Sequence, residues 1–251
     1  MSSRQHDLAF DDRQQGWRTL LLAGGLSTIV VLAGIALDLI LGIITGGDMS
    51  GLPQTAVDRF AQLQRSPLLG LYNMDLLNSV NQVIMIPGYF ALYAAHRGRK
   101  DSAAALALIL FLVGTTILVT NNTALTMLDL GNKYWMATTE AQRTLLAAAG
   151  EAMLARGSHG NLGAFPGFLL PTIAGLIMSF VMLGGRVFTT LTAWLGVIGS
   201  FVMTAYMVLV TFAPGVRQMA TAFAAPGGLL LMAWMILFTI RLIRLGRAKG
   251  A

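Results

Sequence analysis

Cysteine is absent from the sequence. That excludes disulfides, thiolate-bound zinc or iron–sulfur centres and cysteine nucleophiles. Charge is scarce as well: 11% of the 251 residues are charged, against about 25% in ordinary soluble domains. No polar block is long enough to fold as a soluble domain. Histidine occurs only at His6, His96 and His159, none at the middle of an apolar stretch, so bis-histidine haem and an intramembrane metal site are not expected. No apolar stretch holds a central lysine, and a Schiff base has no donor. Ser158-His159 lacks a nucleophile turn, and Gly24-Gly25 and Gly184-Gly185 lack the strand and lysine of a phosphate loop. Gly46-Gly47-Asp48 has the glycine-aspartate of intramembrane aspartyl proteases without a tyrosine-aspartate partner. No catalytic residue, metal or cofactor is therefore assigned.

What is present is apolar. Hydrophobic residues make up 55% of the chain, and mean hydropathy is +0.69. A helix needs about 20 apolar residues to cross a bilayer. Six stretches meet that length, near 17–46, 69–95, 102–128, 162–184, 187–213 and 219–244. The expected fold is all-α, a polytopic transmembrane bundle of six spans forming one membrane domain over 1–251. Arg4, Arg13 and Arg18 resemble a signal-peptide n-region, but the apolar run is long and no cleavage site closes it, so it reads as a retained anchor.

The 17 Lys and Arg residues sit in connectors and tails rather than in a stripe, which argues against nucleic acid and for membrane topology. Eleven fall on the side of the two termini and six on the other. The positive-inside rule then puts both termini in the cytoplasm. Membrane lipids are the expected partners, with other membrane subunits packing on small-residue faces.

Two connectors on the opposite side exceed a turn. In 54–64, Val57, Phe60 and Ala61 share one helical face and Asp58, Gln62 and Arg65 another, predicting a short interfacial helix. Between spans three and four, 134–156 predicts an extra amphipathic helix, with Leu146, Ala149 and Met153 on one face and Glu140 and Arg143 within pairing reach.

Polarity inside the spans is concentrated in the first three. At about 100° per residue, Asp75, Asn78, Ser79 and Gln82 fall on one side of span two, with Tyr89 farther along. Span three carries Thr115, Asn122, Thr126 and Asp129, and span one Ser27, Gly34, Asp38, Gly42 and Thr45. An ionisable residue at such depth faces the bundle interior or a water-filled cavity. Asp38, Asp75, Asn78, Gln82, Asn122 and Thr126 are the candidate ligand-binding residues, expected to share one cavity in the outer half. The bland alternative for the Asn and Thr residues is interhelical hydrogen bonding.

The polar second span, Asp75-Leu-Leu-Asn78 through Pro87-Gly88-Tyr89-Phe-Ala-Leu-Tyr93, and the run Leu191-Thr-Ala-Trp-Leu-Gly196-Val-Ile-Gly199 resemble a bacterial six-span membrane family known as domain of unknown function 4386. The resemblance covers about 17–244. It implies the architecture and a bacterial inner membrane, and no activity or site residue.

Three functions fit these features. Without a catalytic constellation, an accessory or structural subunit of a membrane complex leads. A permease or lipid- or small-molecule-binding protein with an outer-half polar cavity comes second. An intramembrane hydrolase or transferase comes last, because Asp38 and Asp75 have no histidine, metal ligand or activated serine nearby.

Overall fold

In the computed structural model, residues 2–44, 53–98, 100–157, 162–213, 215 and 217–248 are described. Thr45, Gly46-Gly47-Asp48 and Ser158-His159 lie outside them. The described residues form eleven helices and no strand: α1 (Ser2–Ile44), α2 (Ala56–Arg65), α3 (Pro67–Tyr72), α4 (Leu76–Ile84), α5 (Ile86–His96), α6 (Asp101–Asn121), α7 (Ala124–Met136), α8 (Glu140–Gly157), α9 (Phe165–Gly185), α10 (Thr190–Phe212) and α11 (Arg217–Arg247). Five stretches are long and apolar enough to cross a membrane: Gly16–Leu41, Asp101–Met136, Phe165–Gly185, Thr190–Phe212 and Ala222–Arg247.

The expected second span, 69–95, is divided into α3, α4 and α5, and the reasons are local. Asp75 takes a left-handed φ of 59°, closing the turn between α3 and α4, a conformation that Asp adopts more readily than most residues. Pro87 has no N–H to offer the Val83 carbonyl. The helix is interrupted there and resumes as α5, with the Tyr89 amide donating to the Met85 carbonyl at 3.2 Å. The third stretch also breaks. Asn122 is extended at the end of α6, and its side-chain oxygen accepts from the Ala124 amide at 3.1 Å, which starts α7 afresh.

The long helices form a ring in which α1 packs on α5 and α11, α11 on α10, α10 on α9, α9 on α6 and α6 on α5. Glycines set the approach. Gly24 of α1 lies against Ala91 and Pro87 of α5, Gly114 of α6 against Pro171 of α9, and Gly196 of α10 against Ser179 of α9. Without hydrophobic drive between helices in lipid, such close packing is what holds a bundle together.

The two ends differ. At one, α2, α3, α7 and α8 make a cap with its own core of Phe60, Leu63, Met74, Met127 and Leu154. Glu151 of α8 accepts from the Ala56 amide at 2.7 Å, tying the start of α2 to α8. The faces differ in detail from the expected ones: α2 buries Ala56, Arg59, Phe60 and Leu63, and α8 buries Gly150, Leu154 and Gly157. Both pack on α7, so contact with protein rather than the apolar stripe alone selects the buried side. The other end is basic. There Arg97 stands 4.2 Å over the Trp17 ring, and Arg241 Nε donates to the Val187 carbonyl at 2.9 Å.

Candidate functional site

The ring is filled unevenly along its axis. Toward the basic end, Leu92, Met178, Met182, Phe238 and Leu242 are fully buried and close the centre. Toward the cap, a cavity of about 350 Å³ remains, lined from α1, α4, α5, α6, α9, α10 and α11. This volume falls at the lower end of the range of small-molecule sites, roughly 300–1,000 Å³.

Its walls are two-sided. Asp38 of α1 and Asn78, Asn81 and Gln82 of α4 supply polar groups, whereas Met85, Tyr89, Phe111, Met203, Met207, Trp234 and Met235 supply apolar surface. Tyr89 and Phe111 stack with ring centroids 3.8 Å apart. Trp234 is held by its Nε1 donating to Met182 Sδ at 3.3 Å. Gln82 is held by Thr115, whose hydroxyl donates to Oε1 at 3.3 Å.

Three of the six expected residues, Asp38, Asn78 and Gln82, line this cavity. Asp75 stands one bond behind it, accepting from Asn78 Nδ2 at 2.8 Å and so orienting that amide. Asn122 lies behind α4, where its Nδ2 donates to the Met74 carbonyl at 3.0 Å. Thr126 is exposed on α7 and is not among the lining residues; the break at Asn122 re-phases everything after it. Arg143 of α8 is paired with Glu140 at 2.9 Å.

Tyr72 connects the two aspartates electrostatically. Its hydroxyl donates to the Asp38 backbone carbonyl at 3.0 Å. Burial first, then the nearby charges of Asp38 and Asp75, push its pKa up to about 12, so at neutral pH the phenol is a proton donor. In the cap, Arg59 is 7% exposed. Burial lowers its pKa and Asp75 partly offsets this.

Asn81, Thr172 and Ser200 also line the cavity and lay outside the sequence-based expectation; Thr172 is satisfied by the Phe168 carbonyl at 2.8 Å, the other two are not. Asn81 is 7% exposed and Ser200 is 0% exposed, and neither Asn81 Nδ2 nor Ser200 Oγ has a protein partner. A buried polar group left unsatisfied costs about 1–3 kcal/mol. Asn81 lies three residues after Asn78, near the same helical face, with its amide packed on the bare backbone of Gly34. Ser200 follows Gly199 inside the apolar run of α10. A Cβ added at Gly175 would stand 3.1 Å from Ser200 Oγ and 3.4 Å from the Tyr89 hydroxyl, which places both beside one point of α9. Among the described residues, no three His, Asp or Glu side chains gather in a metal-binding group. The arrangement is one for binding, with a polar side, an apolar side and two unused hydrogen-bonding groups.

No known protein family matches the chain, and no curated protein or solved structure matches it.

Proposed function

We propose that this chain is a six-crossing membrane protein that binds a small amphiphilic molecule in the cavity beneath its cap. The observation that carries this reading is the cavity itself, polar along α1 and α4 and lined elsewhere mainly by methionine and aromatic side chains, with Thr172 and Ser200 among them. A sixth crossing is supplied by α4 and α5 together, which run about 30 Å at 1.5 Å per residue. They lie antiparallel to α1: Gly24 neighbours Ala91, Gly34 neighbours Asn81, and the Asp38 carbonyl meets Tyr72. Six crossings return both termini to one side. The concentration of Arg and Lys at the basic end supports a cytoplasmic location for that side, and the family resemblance supports a bacterial inner membrane.

The test is to fill the cavity. Gly175→Leu would project a side chain between Ser200 and Tyr89. Native mass spectrometry of protein released from nanodiscs is expected to show a retained amphiphile on wild type and none on the variant, at equal helix content. Equal retention would remove the cavity from consideration.

An accessory-subunit reading draws on one further observation. Ala141, Leu145, Ala148 and Ala152 make an exposed apolar face of α8, suited to lateral packing. Co-purification of a stoichiometric partner, lost in Leu145→Glu, would support it.

A further inference from the structure

The walls of the cavity also indicate what kind of head group it takes. Asn81 Nδ2 can only donate a hydrogen bond, and the Ser200 hydroxyl readily does so. Both are buried, both lack a protein partner, and they come from different helices that line the same space. A group this buried is normally satisfied. Asp38, the one carboxylate in the lining, stands at the rim, where the Tyr72 hydroxyl donates to its backbone carbonyl at 3.0 Å. Deeper in, the lining is mainly apolar, the Gln82 carbonyl oxygen is taken up by Thr115, and Asn81 Nδ2 and Ser200 Oγ are the buried polar atoms left there without a protein partner.

A cationic head would meet the positive end of the Asn81 amide and a hydroxyl whose proton has no other acceptor, which is unfavourable. A plain hydrocarbon would leave both donors unsatisfied. An uncharged head with two acceptor oxygens satisfies both and leaves the ring or chain to Tyr89, Phe111 and Trp234. Aromatic side chains prefer offset or edge contacts with another π-system.

We propose that the ligand is a neutral lipophile bearing two hydrogen-bond acceptors, of the quinone class, with Asn81 Nδ2 and Ser200 Oγ each donating to one carbonyl oxygen. This rests on the cavity being the binding site. No electron transfer is implied, since the proposal concerns recognition.

The experiment uses the full chain in phosphatidylcholine nanodiscs and three probes: a decyl-substituted benzoquinone, decyltrimethylammonium and decanol. Binding is read as ligand-dependent thermal stabilisation across a concentration series. The quinone is expected to stabilise wild type most. Asn81→Asp, isosteric but stripped of the donor, and Ser200→Ala should each weaken it by about tenfold, equivalent to about 1.4 kcal/mol. Gly175→Leu should abolish it. If the quinone binds but neither Asn81→Asp nor Ser200→Ala changes its affinity, the assignment is overturned while the cavity stands. Tighter binding of decyltrimethylammonium than of the quinone to wild type would likewise overturn it, in favour of a cation held by Asp38. If no probe responds to Gly175→Leu, the cavity reading fails first and the ligand class with it.

Discussion

Toward the basic end, the glycines of the bundle are spoken for by their neighbours. A Cβ at Gly24 would overlap Ala91 and stand 2.7 Å from the Pro87 carbonyl oxygen, and one at Gly196 would overlap Ser179 and stand 2.7 Å from Trp234 Nε1. Toward the cap, Gly175 borders the cavity, and its nearest neighbours, Ser200 Oγ and the Tyr89 hydroxyl, are 3.1 and 3.4 Å from where a Cβ would sit. The same helices thus make a packed plug in one half and a receptacle in the other. Glycines in the cap half admit neighbours too, Gly34 the Asn81 amide and Gly114 the Pro171 ring, but Gly175 faces the cavity. A void lined only by hydrocarbon stays dry and empty, whereas one lined by unpartnered polar groups has a reason to be filled.

The comparison is broken most severely in the plug. Phe238→Ala, at a fully buried position, loses burial and leaves a cavity, and should cost about 3–5 kcal/mol. Met207→Ala, at the cavity wall and 6% exposed, should fall at the low end for such truncations, about 2 kcal/mol. Thermal unfolding in one detergent checks both, and equal losses would mean that the two halves are packed alike. Next comes the glycine pair. Gly196→Ala should destabilise by about 1–3 kcal/mol through overpacking, whereas Gly175→Ala should stay within about 0.5 kcal/mol, helix propensity offsetting the tight contact.

Five of the six expected apolar stretches recur as helical stretches long and apolar enough to cross a membrane, and they, with a polar side to the second stretch, were legible from hydropathy and helical phase alone. The breaks were less so. Pro87 was visible, but the turn at Asp75 depends on a left-handed residue that is not glycine, and the break at Asn122 on that side chain capping its own neighbour. Phase counted through such a break misleads, and so Thr126 falls on the exposed side of α7 while Asn78 and Gln82 stay in register. Asn81 and Ser200 escaped for a different reason. A lone Asn or Ser in an apolar helix usually bonds within its own helix or to a neighbour, as Ser179 does to the Gly175 carbonyl at 2.7 Å. Only the tertiary arrangement leaves these two without such a partner.

Smaller effects sharpen the contrast at the cap. Glu151→Ala removes the acceptor of the Ala56 amide and should cost about 1 kcal/mol, as for a lost helix cap. It should loosen α2 to protease without lowering the melting point of the bundle core, and a uniform loss would show that cap and bundle unfold as one. Tyr72 gives a pH signature. Its folded-state pKa, raised to about 12 from 10, contributes stability that is fully present below pH 10 and lost as pH rises through about 12. Tyr72→Phe should abolish that component of the alkaline transition, as read by Trp135 fluorescence, and an unchanged curve would place the loss elsewhere.

The most direct measurement is a density map of the protein purified in nanodiscs from its native membrane, at a resolution that shows side-chain amides. Continuous non-protein density between Asn81 and Ser200, with its polar end against both, is the predicted result. A collapsed cavity, in which Asn81 Nδ2 and Ser200 Oγ have found protein partners and Met203, Met207 and Met235 fill the centre, would contradict a binding role for this fold.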